Sequence, residues 1–391
     1  MAADDRPPRI PRHGRFSPAA TRRRAAGARG SRREILVAAR GMLGWVVLVA
    51  SCYGLAEAGR VVRVPAAALA VPLAAGIILA LAGVVRSPLP RRAGRTAQAL
   101  MGVVMGSHLQ PEALRSLTVT TLPLLAVTVA TIACCGAAAY WLARTTEVPM
   151  ADAVLGMVPG GSAGVISCAA DLGADPRRVA FAQYLRVAFI ALTAPLIMQA
   201  TSGVHPAPAG PPAFDHWVQQ PRGISSVLIL AGICLVGSRL GQRARLPAPT
   251  LLGPMALAVV VTFTHTWSGF APAGPLQDLL FVVIGLEVGL QFTRSAIRGA
   301  VVVLPRLCLA IVTVSLVCAG LSWAAAAVAG LTFGEAYLAT TPGGINAVLA
   351  TAVTGHGNLA LITTVQSLRL LLVLLLMPTL IRLLAARAAM R

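Results

Sequence analysis

Asp152-Ala-Val-Leu-Gly-Met-Val-Pro159-Gly160-Gly161, followed by Gln183-Tyr-Leu-Arg186 and Pro195, has a second copy further along the chain. That copy is Glu335-Ala-Tyr-Leu-Ala-Thr-Thr-Pro342-Gly343-Gly344, followed by Gln366-Ser-Leu-Arg369 and Pro378. A shift of 183 residues, with no gap, lays acid on acid, Pro-Gly-Gly on itself and Gln-x-x-Arg on itself. Pro, Gln and Arg are uncommon inside apolar segments, so their coincidence carries the comparison. The chain is read as an internal duplication.

Composition sets the class. Hydrophobic residues make up 57% of 391 and charged residues 12%, with a mean hydropathy of +0.77. No soluble fold of this size buries that much apolar surface, so an all-α polytopic membrane protein is expected. The alternation of a membrane barrel is absent. Seven cysteines (52, 134, 135, 168, 234, 308 and 318) sit inside apolar runs without Cys-x-x-Cys spacing and read as small core hydrophobes. All 33 basic residues are Arg.

Residues 1–33 carry ten Arg and few large apolar side chains, so they read as a disordered cytoplasmic tail touching anionic lipid. No aromatic interleaving supports direct nucleic-acid binding. Membrane repeat 1 then covers 34–200, an extracytoplasmic linker 201–222, and membrane repeat 2 223–391. Each repeat has six apolar segments. In the second repeat they fall at about 223–238, 246–266, 275–290, 299–329, 335–354 and 360–381. The fifth of each repeat holds the Pro-Gly-Gly.

Arginine placement decides the symmetry. If all twelve segments span, the flanking arginines beyond residue 40 divide nine inside to eleven outside, against the positive-inside tendency. If each Pro-Gly-Gly segment enters and leaves on one side, sixteen fall inside and only Arg60, Arg63, Arg115 and Arg222 outside. Each repeat then has five spans and one broken segment. An odd number inverts the second repeat relative to the first, the architecture of many secondary transporters. Both termini are expected in the cytoplasm and the chain in the inner (plasma) membrane, multi-pass.

The expected chemistry follows from the breaks. Pro removes a backbone donor and paired Gly makes non-helical angles accessible, a combination tolerated in lipid only beside protein or a wet cavity. The helices restarting at Ser162 and Ile345 offer free N–H groups and a positive dipole end, an anion site; a plain kink is the bland alternative. Arg186 and Arg369 lie deep in the sixth segments, where a bare guanidinium costs about 2.5–3.5 kcal/mol. Gln183 and Gln366 lie one turn earlier on the same faces. The arginines either grip a carboxylate-like solute or form permanent ion pairs, with Asp152 and Glu335 as partners. At a shift of 179, Gly106-Ser-His108 aligns with Gly285-Leu-Glu287; burying a carboxylate is costly, so Glu287 is read as a proton or cation carrier. His108 reads first as a satisfied core residue and second as a coupling group, alongside Asp152 and Glu335. Asn346 stands where the first copy has Ala163, so the half-sites are unequal.

The solute-binding set expected from the sequence is therefore Pro159, Gly160, Gly161, Gln183, Arg186, Glu287, Pro342, Gly343, Gly344, Asn346, Gln366 and Arg369. The partners are membrane lipid, a small solute and H+ or Na+, with homo-oligomerisation left open. No cofactor and no metal are expected: the six His are dispersed, and neither a phosphate-binding loop nor a dinucleotide fingerprint occurs.

The paired Pro-Gly-Gly segments, each about 25 residues before an intramembrane Arg, resemble the membrane AbrB family. The resemblance covers roughly residues 40–385. The family pattern places an acidic residue and Met after the Pro-Gly-Gly; here Ser162-Ala-Gly-Val165 and Ile345-Asn-Ala-Val348 stand instead. The family name implies regulation of gene expression. Its other label, putative ammonia monooxygenase, gains nothing from scattered His, and no enzyme is expected. The family also resembles the broader inverted-repeat cation/anion transporters, which implies a permease for a small anionic solute. The alternative is a membrane-embedded regulator that senses a ligand without moving it.

Overall fold

The computed structural model describes residues 42–85, 89–109, 121–159, 162–169, 172–202, 224–246, 248–264, 269–354, 358–370 and 372–373. The basic tail, Gly160, Gly161, linker residues 203–222 and several arginines of the sidedness count lie outside them. Every regular element among the described residues is a helix. The first half holds α1 (Met42–Val61), α2 (Ala67–Ala82), α3 (Arg91–His108), α4 (Thr121–Thr145), the short pair α5 (Met150–Met157) and α6 (Ser162–Ala169), and α7 (Pro176–Ser202). The second holds α8 (Ile224–Arg243), α9 (Pro249–Phe263), α10 (Gly274–Gly289), α11 (Arg294–Ala300), α12 (Leu304–Ala329), the short pair α13 (Phe333–Thr340) and α14 (Ile345–Thr354), and α15 (Leu359–Leu370).

Met42–Val61, Leu122–Thr145, Pro176–Thr201, Ser225–Arg243 and Leu304–Ala329 are each long and apolar enough to cross a membrane, and α2, α9 and α15 are shorter apolar helices. Large apolar side chains such as Leu316, Trp323 and Val328 on α12 stand exposed, as they do where lipid is the solvent. This is a polytopic membrane protein. The two compact units are unequal: residues 42–50 are the described part of Met1–Ala50, and Ser51–Arg391 holds the rest. One expected segment is corrected. Residues 299–329 do not form a single helix, because α11 ends at Ala300 and Pro305 opens α12 at its first turn. Instead α11 makes a 53° bend with α10.

The duplication is written into the backbone. Among the described residues, four residues other than Gly take positive φ: Arg63 (60°) and Ala66 (47°) before α2, Arg245 (51°) and Ala248 (53°) before α9. They pair at a shift of 182, as do Pro72 inside α2 and Pro254 inside α9. Helix contact repeats too. A Cβ on Gly102 or Gly106 of α3 would strike the backbone of α9 at Leu251 and Met255; a Cβ on Gly285 or Gly289 of α10 would strike α2 at Leu69 and Leu73. These are small-x-x-x-small crossings, which in lipid let backbones approach and gain dispersion contact.

That register corrects the pairing of His108 with Glu287. The Gly-x3-Gly motifs match at a shift of 183, so His108 corresponds to Gln291 and Glu287 to Val104. The 179 alignment rested on one Gly in a Gly-rich stretch, and packing selects the other.

The inversion is read along α7. At its start, the Asp175 N–H donates to Asp152 Oδ1 at 2.9 Å, so the first broken segment begins and ends at one face. A crossing segment would separate those ends by about 30 Å. Its tip lies beside Arg186, ten residues into α7, or about 15 Å, half the thickness of a bilayer core. The second broken segment runs the opposite way: Gly334 packs on Met198 near the end of α7, Gly343 on Ile190 and Gly344 on Val187. Its base also closes on one face, where the Asn358 N–H donates to Glu335 Oε1 at 3.2 Å. Two half-crossing hairpins thus enter from opposite faces and meet on one turn of α7.

Close crossing predicts that Gly102→Ala or Gly285→Ala lowers stability by about 1–3 kcal/mol through overpacking. Gly136→Ala, whose added methyl has nothing within 4 Å, should be neutral. Thermal unfolding in detergent checks both, and equal melting temperatures for all three would deny the crossing.

Candidate functional site

The site grows from an unmet backbone need. A helix that stops in mid-membrane leaves its last carbonyls without partners. α5 stops at Met157 because Pro159 cannot continue it, and α13 stops at Thr340 before Pro342. The freed carbonyls are taken up by the Gln-x-x-Arg of the following helix. Gln183 Nε2 donates to the Leu155 carbonyl (2.5 Å) and the Val158 carbonyl (3.0 Å). Arg186 Nη1 donates to the Met157 carbonyl (2.7 Å), and its Nη2 to Gln183 Oε1 (2.7 Å). In the second repeat Gln366 Nε2 donates to the Leu338 carbonyl (2.7 Å). Arg369 donates from Nη1 to the Thr341 carbonyl and from Nη2 to the Gly343 carbonyl (3.1 Å).

Both guanidiniums are buried, Arg186 at 3% exposed and Arg369 at 2%. No carboxylate pairs with either among the described residues, which overturns the ion pairs expected with Asp152 and Glu335. The acids lie at the hairpin bases instead. Asp152 holds the Asp175 N–H and faces Arg178 at 3.5 Å. Glu335 closes a capping box with Thr332 and holds the Asn358 N–H. The negative ends of two short helices, each equivalent to about half a charge, are what face the arginines. The buried Nε of each guanidinium has no hydrogen-bond partner among the described residues.

The remaining predicted residues fall as follows. Pro159 is buried, as are Pro342 and Gly343, while Gly344 is half-buried. Asn346 lies in the first turn of α14, and its side chain is outside the described residues, as are Gly160 and Gly161 altogether. α6 and α14 begin at Ser162 and Ile345, with N-termini at the tips. Glu287 is half-buried on α10 with its carboxylate against Gly94 of α3: a methyl there would stand 3.1 Å from Oε1. His108 ends α3, fourteen residues beyond Gly94 and so about 21 Å along that helix. The structure does not bring Glu287 and His108 together.

A cavity of about 1390 Å³ descends from the face that carries the first hairpin's base. Arg144, Arg177, Arg178 and Arg306 line its mouth with Glu147 and Asp175, and Met157 and Tyr184 lie deepest, level with the first tip. Phe181 of α7 and Phe292 at the α10–α11 bend stack edge to face across its wall, with ring centroids 6.0 Å apart. Sequence reasoning missed this vestibule, since its wall is assembled from three separate stretches, 142–157, 175–184 and 291–307. It also missed the backbone partners of the arginines, because every residue carries a carbonyl. Among the described residues no group of three or more His, Cys, Asp or Glu is placed to hold a metal.

The family model described as "Transition state regulatory protein AbrB" matches residues 84–385. "Putative regulator AbrB" of Escherichia coli (strain K12) is 32% identical over 330 residues, covering 84% of this chain and 93% of its own length. "Uncharacterized protein YhjN" of Bacillus subtilis (strain 168) is 26% identical over 265 residues, covering 63% of this chain and 66% of its own. No solved structure matches.

The caps differ in number. Gln183 serves two carbonyls and accepts from Arg186, whereas Gln366 serves one and its Oε1 has no partner among the described residues. Gln183→Leu should therefore destabilise more than Gln366→Leu, with a loss of about 1–3 kcal/mol for each carbonyl left bare. Denaturant unfolding in mixed micelles compares them; the reverse ranking would show that the glutamines do not cap the broken helices.

Proposed function

The chain belongs to the AbrB family, and within it we propose a secondary carrier of a small anionic solute, driven by protons or sodium. Two buried guanidiniums, at the meeting tips of opposed hairpins and without a carboxylate partner among the described residues, carry this reading. A positive centre at half-depth attracts an anion. Its remaining donors include the two Nε–H groups, the N–H groups of Ile345 and Asn346, and those opening α6. The arginine-lined vestibule concentrates anions at one mouth. Glu287, a half-buried carboxylate on a membrane helix, is the coupling group we favour. The inner membrane, cytoplasmic termini and lipid contact of the tail belong to the same proposal, which includes no enzymatic step.

The words regulatory and regulator in the names of the family model and of the E. coli relative favour a second reading, for which we propose a ligand-sensing regulator without flux. It requires a ligand-dependent change in gene expression and a partner for the basic tail.

Counterflow of radiolabelled organic anions into proteoliposomes separates the two. A carrier loses counterflow on Arg186→Ala and on Arg369→Ala, by about a hundredfold or more if each removes roughly 3 kcal/mol of binding. Counterflow that survives both changes removes the proposed site, and a wild-type protein that binds a solute without moving it supports the sensor.

A further inference from the structure

Ala180, Phe181 and Tyr184 of α7 line the open vestibule and are half-exposed. Their counterparts on α15, at the shift of 183, are Thr363, Thr364 and Ser367. Those are 0%, 1% and 2% exposed. The same three positions form the wall of a cavity in one repeat and are packed shut in the other.

The chemistry of the sealed positions is odd for a permanent core. All three carry hydroxyls. Thr364 turns its hydroxyl onto the Ala360 carbonyl at 2.7 Å, the usual arrangement in a membrane helix. Thr363 Oγ1 and Ser367 Oγ have no hydrogen-bond partner among the described residues. One more oxygen nearby shares that state: Gln366 Oε1, between them on α15. Its first-repeat equivalent is Gln183, whose Oε1 accepts from Arg186. A buried hydroxyl left unpaired in low dielectric is unfavourable, and water would satisfy it.

We infer that Thr363 and Ser367 line a second vestibule, closed in this structure, which opens toward the face of Glu335 and Asn358 and takes the same anionic solute from there. The inference rests on the carrier reading for its purpose but not for its geometry. Inverted repeats that meet at a fixed centre can exchange conformations, so what α7 shows now α15 shows in the other state. Hydroxyls suit such a wall because they hydrogen-bond a passing carboxylate or phosphate without holding it by charge. The desolvation they suffer when sealed is relieved on opening, which keeps the two states close in free energy.

The test uses the full chain in oriented vesicles, with native cysteines replaced and single cysteines placed at 180, 184, 363 or 367. Asp175→Cys and Asn358→Cys mark the two faces. A membrane-impermeant maleimide should label 180 and 184 from the Asp175 face only. It should label 363 and 367 from the Asn358 face only, on the order of tenfold or more slowly, as suits a state populated at a few per cent. Thr363→Val with Ser367→Ala keeps the closed packing and removes both orphaned oxygens. That variant should melt at a higher temperature and reduce labelling of a cysteine at 366, also from the Asn358 face. Failure of 363 and 367 to react while Asn358→Cys reacts to completion overturns the inference, as does labelling from the Asp175 face. A two-faced labelling pattern without flux of any solute keeps the second vestibule and ends the carrier reading; flux without it does the reverse.

Discussion

A carbonyl in the middle of a bilayer has to be given a donor, and this molecule depends on how it does so. Two helices stop halfway across, at Met157 and Thr340, and each leaves its final carbonyls without partners in its own helix. Gln-x-x-Arg on the next helix supplies the donors in both places. The spacing has a geometric reason: residues three apart stand one above the other on a helix, so amide and guanidinium reach successive carbonyls of a parallel neighbour. Pro-Gly-Gly and Gln-x-x-Arg are therefore one device. Breaking a helix in lipid without a fork-shaped donor beside it leaves bare backbone, and an arginine at that depth without carbonyls to hold is an unpaired buried charge.

Much of this was legible because rare residues mark the rule. Pro, Gln and Arg stand out in an apolar chain, so the duplication, the breaks and the half-depth arginines were visible before any coordinate. The inverted, half-crossing arrangement came from arginine sidedness, and the register along α7 agrees, from Asp152–Asp175 at one end to Gly334–Met198 at the other. What escaped was whatever depends on the backbone. Acids looked like the natural partners of Arg186 and Arg369, yet the arginines hold carbonyls, which no residue type announces. His108 and Glu287 were paired through a single Gly. The correct register was present in Gly102-x3-Gly106 and Gly285-x3-Gly289, but its weight came from seeing both motifs pressed on a neighbour's backbone. Cavity walls escaped too, since Leu142, Phe181, Gln291 and Leu307 are distant in sequence.

The two repeats share a backbone plan but not a surface chemistry. Left-handed residues before α2 and α9, prolines inside them and glycine crossings all recur, and these set where helices stand. The residues facing the hairpins diverge: Met157 against Thr340, Val158 against Thr341, Tyr184 against Ser367. Ser322 and Thr340 join hydroxyls at 2.7 Å beside the second hairpin, where the first repeat has Ala139 and Met157. Conserving the scaffold while changing the lining gives two half-sites on one backbone plan with unequal polarity.

Electrostatics explain why held arginines still suit a carrier. Each guanidinium carries a full positive charge, and the helix end facing it returns about half of one. A residual positive potential stays at half-depth, with no carboxylate among the described residues to cancel it. Both Nη nitrogens of each guanidinium are tied to the protein, so an arriving anion meets a fixed fork whose untied nitrogen is Nε, beside the helix starts at Ser162 and Ile345. Strong long-range attraction with modest local grip is what a site needs when it must release what it has drawn in, since a bidentate guanidinium clamp in low dielectric would hold a carboxylate too tightly to let it go.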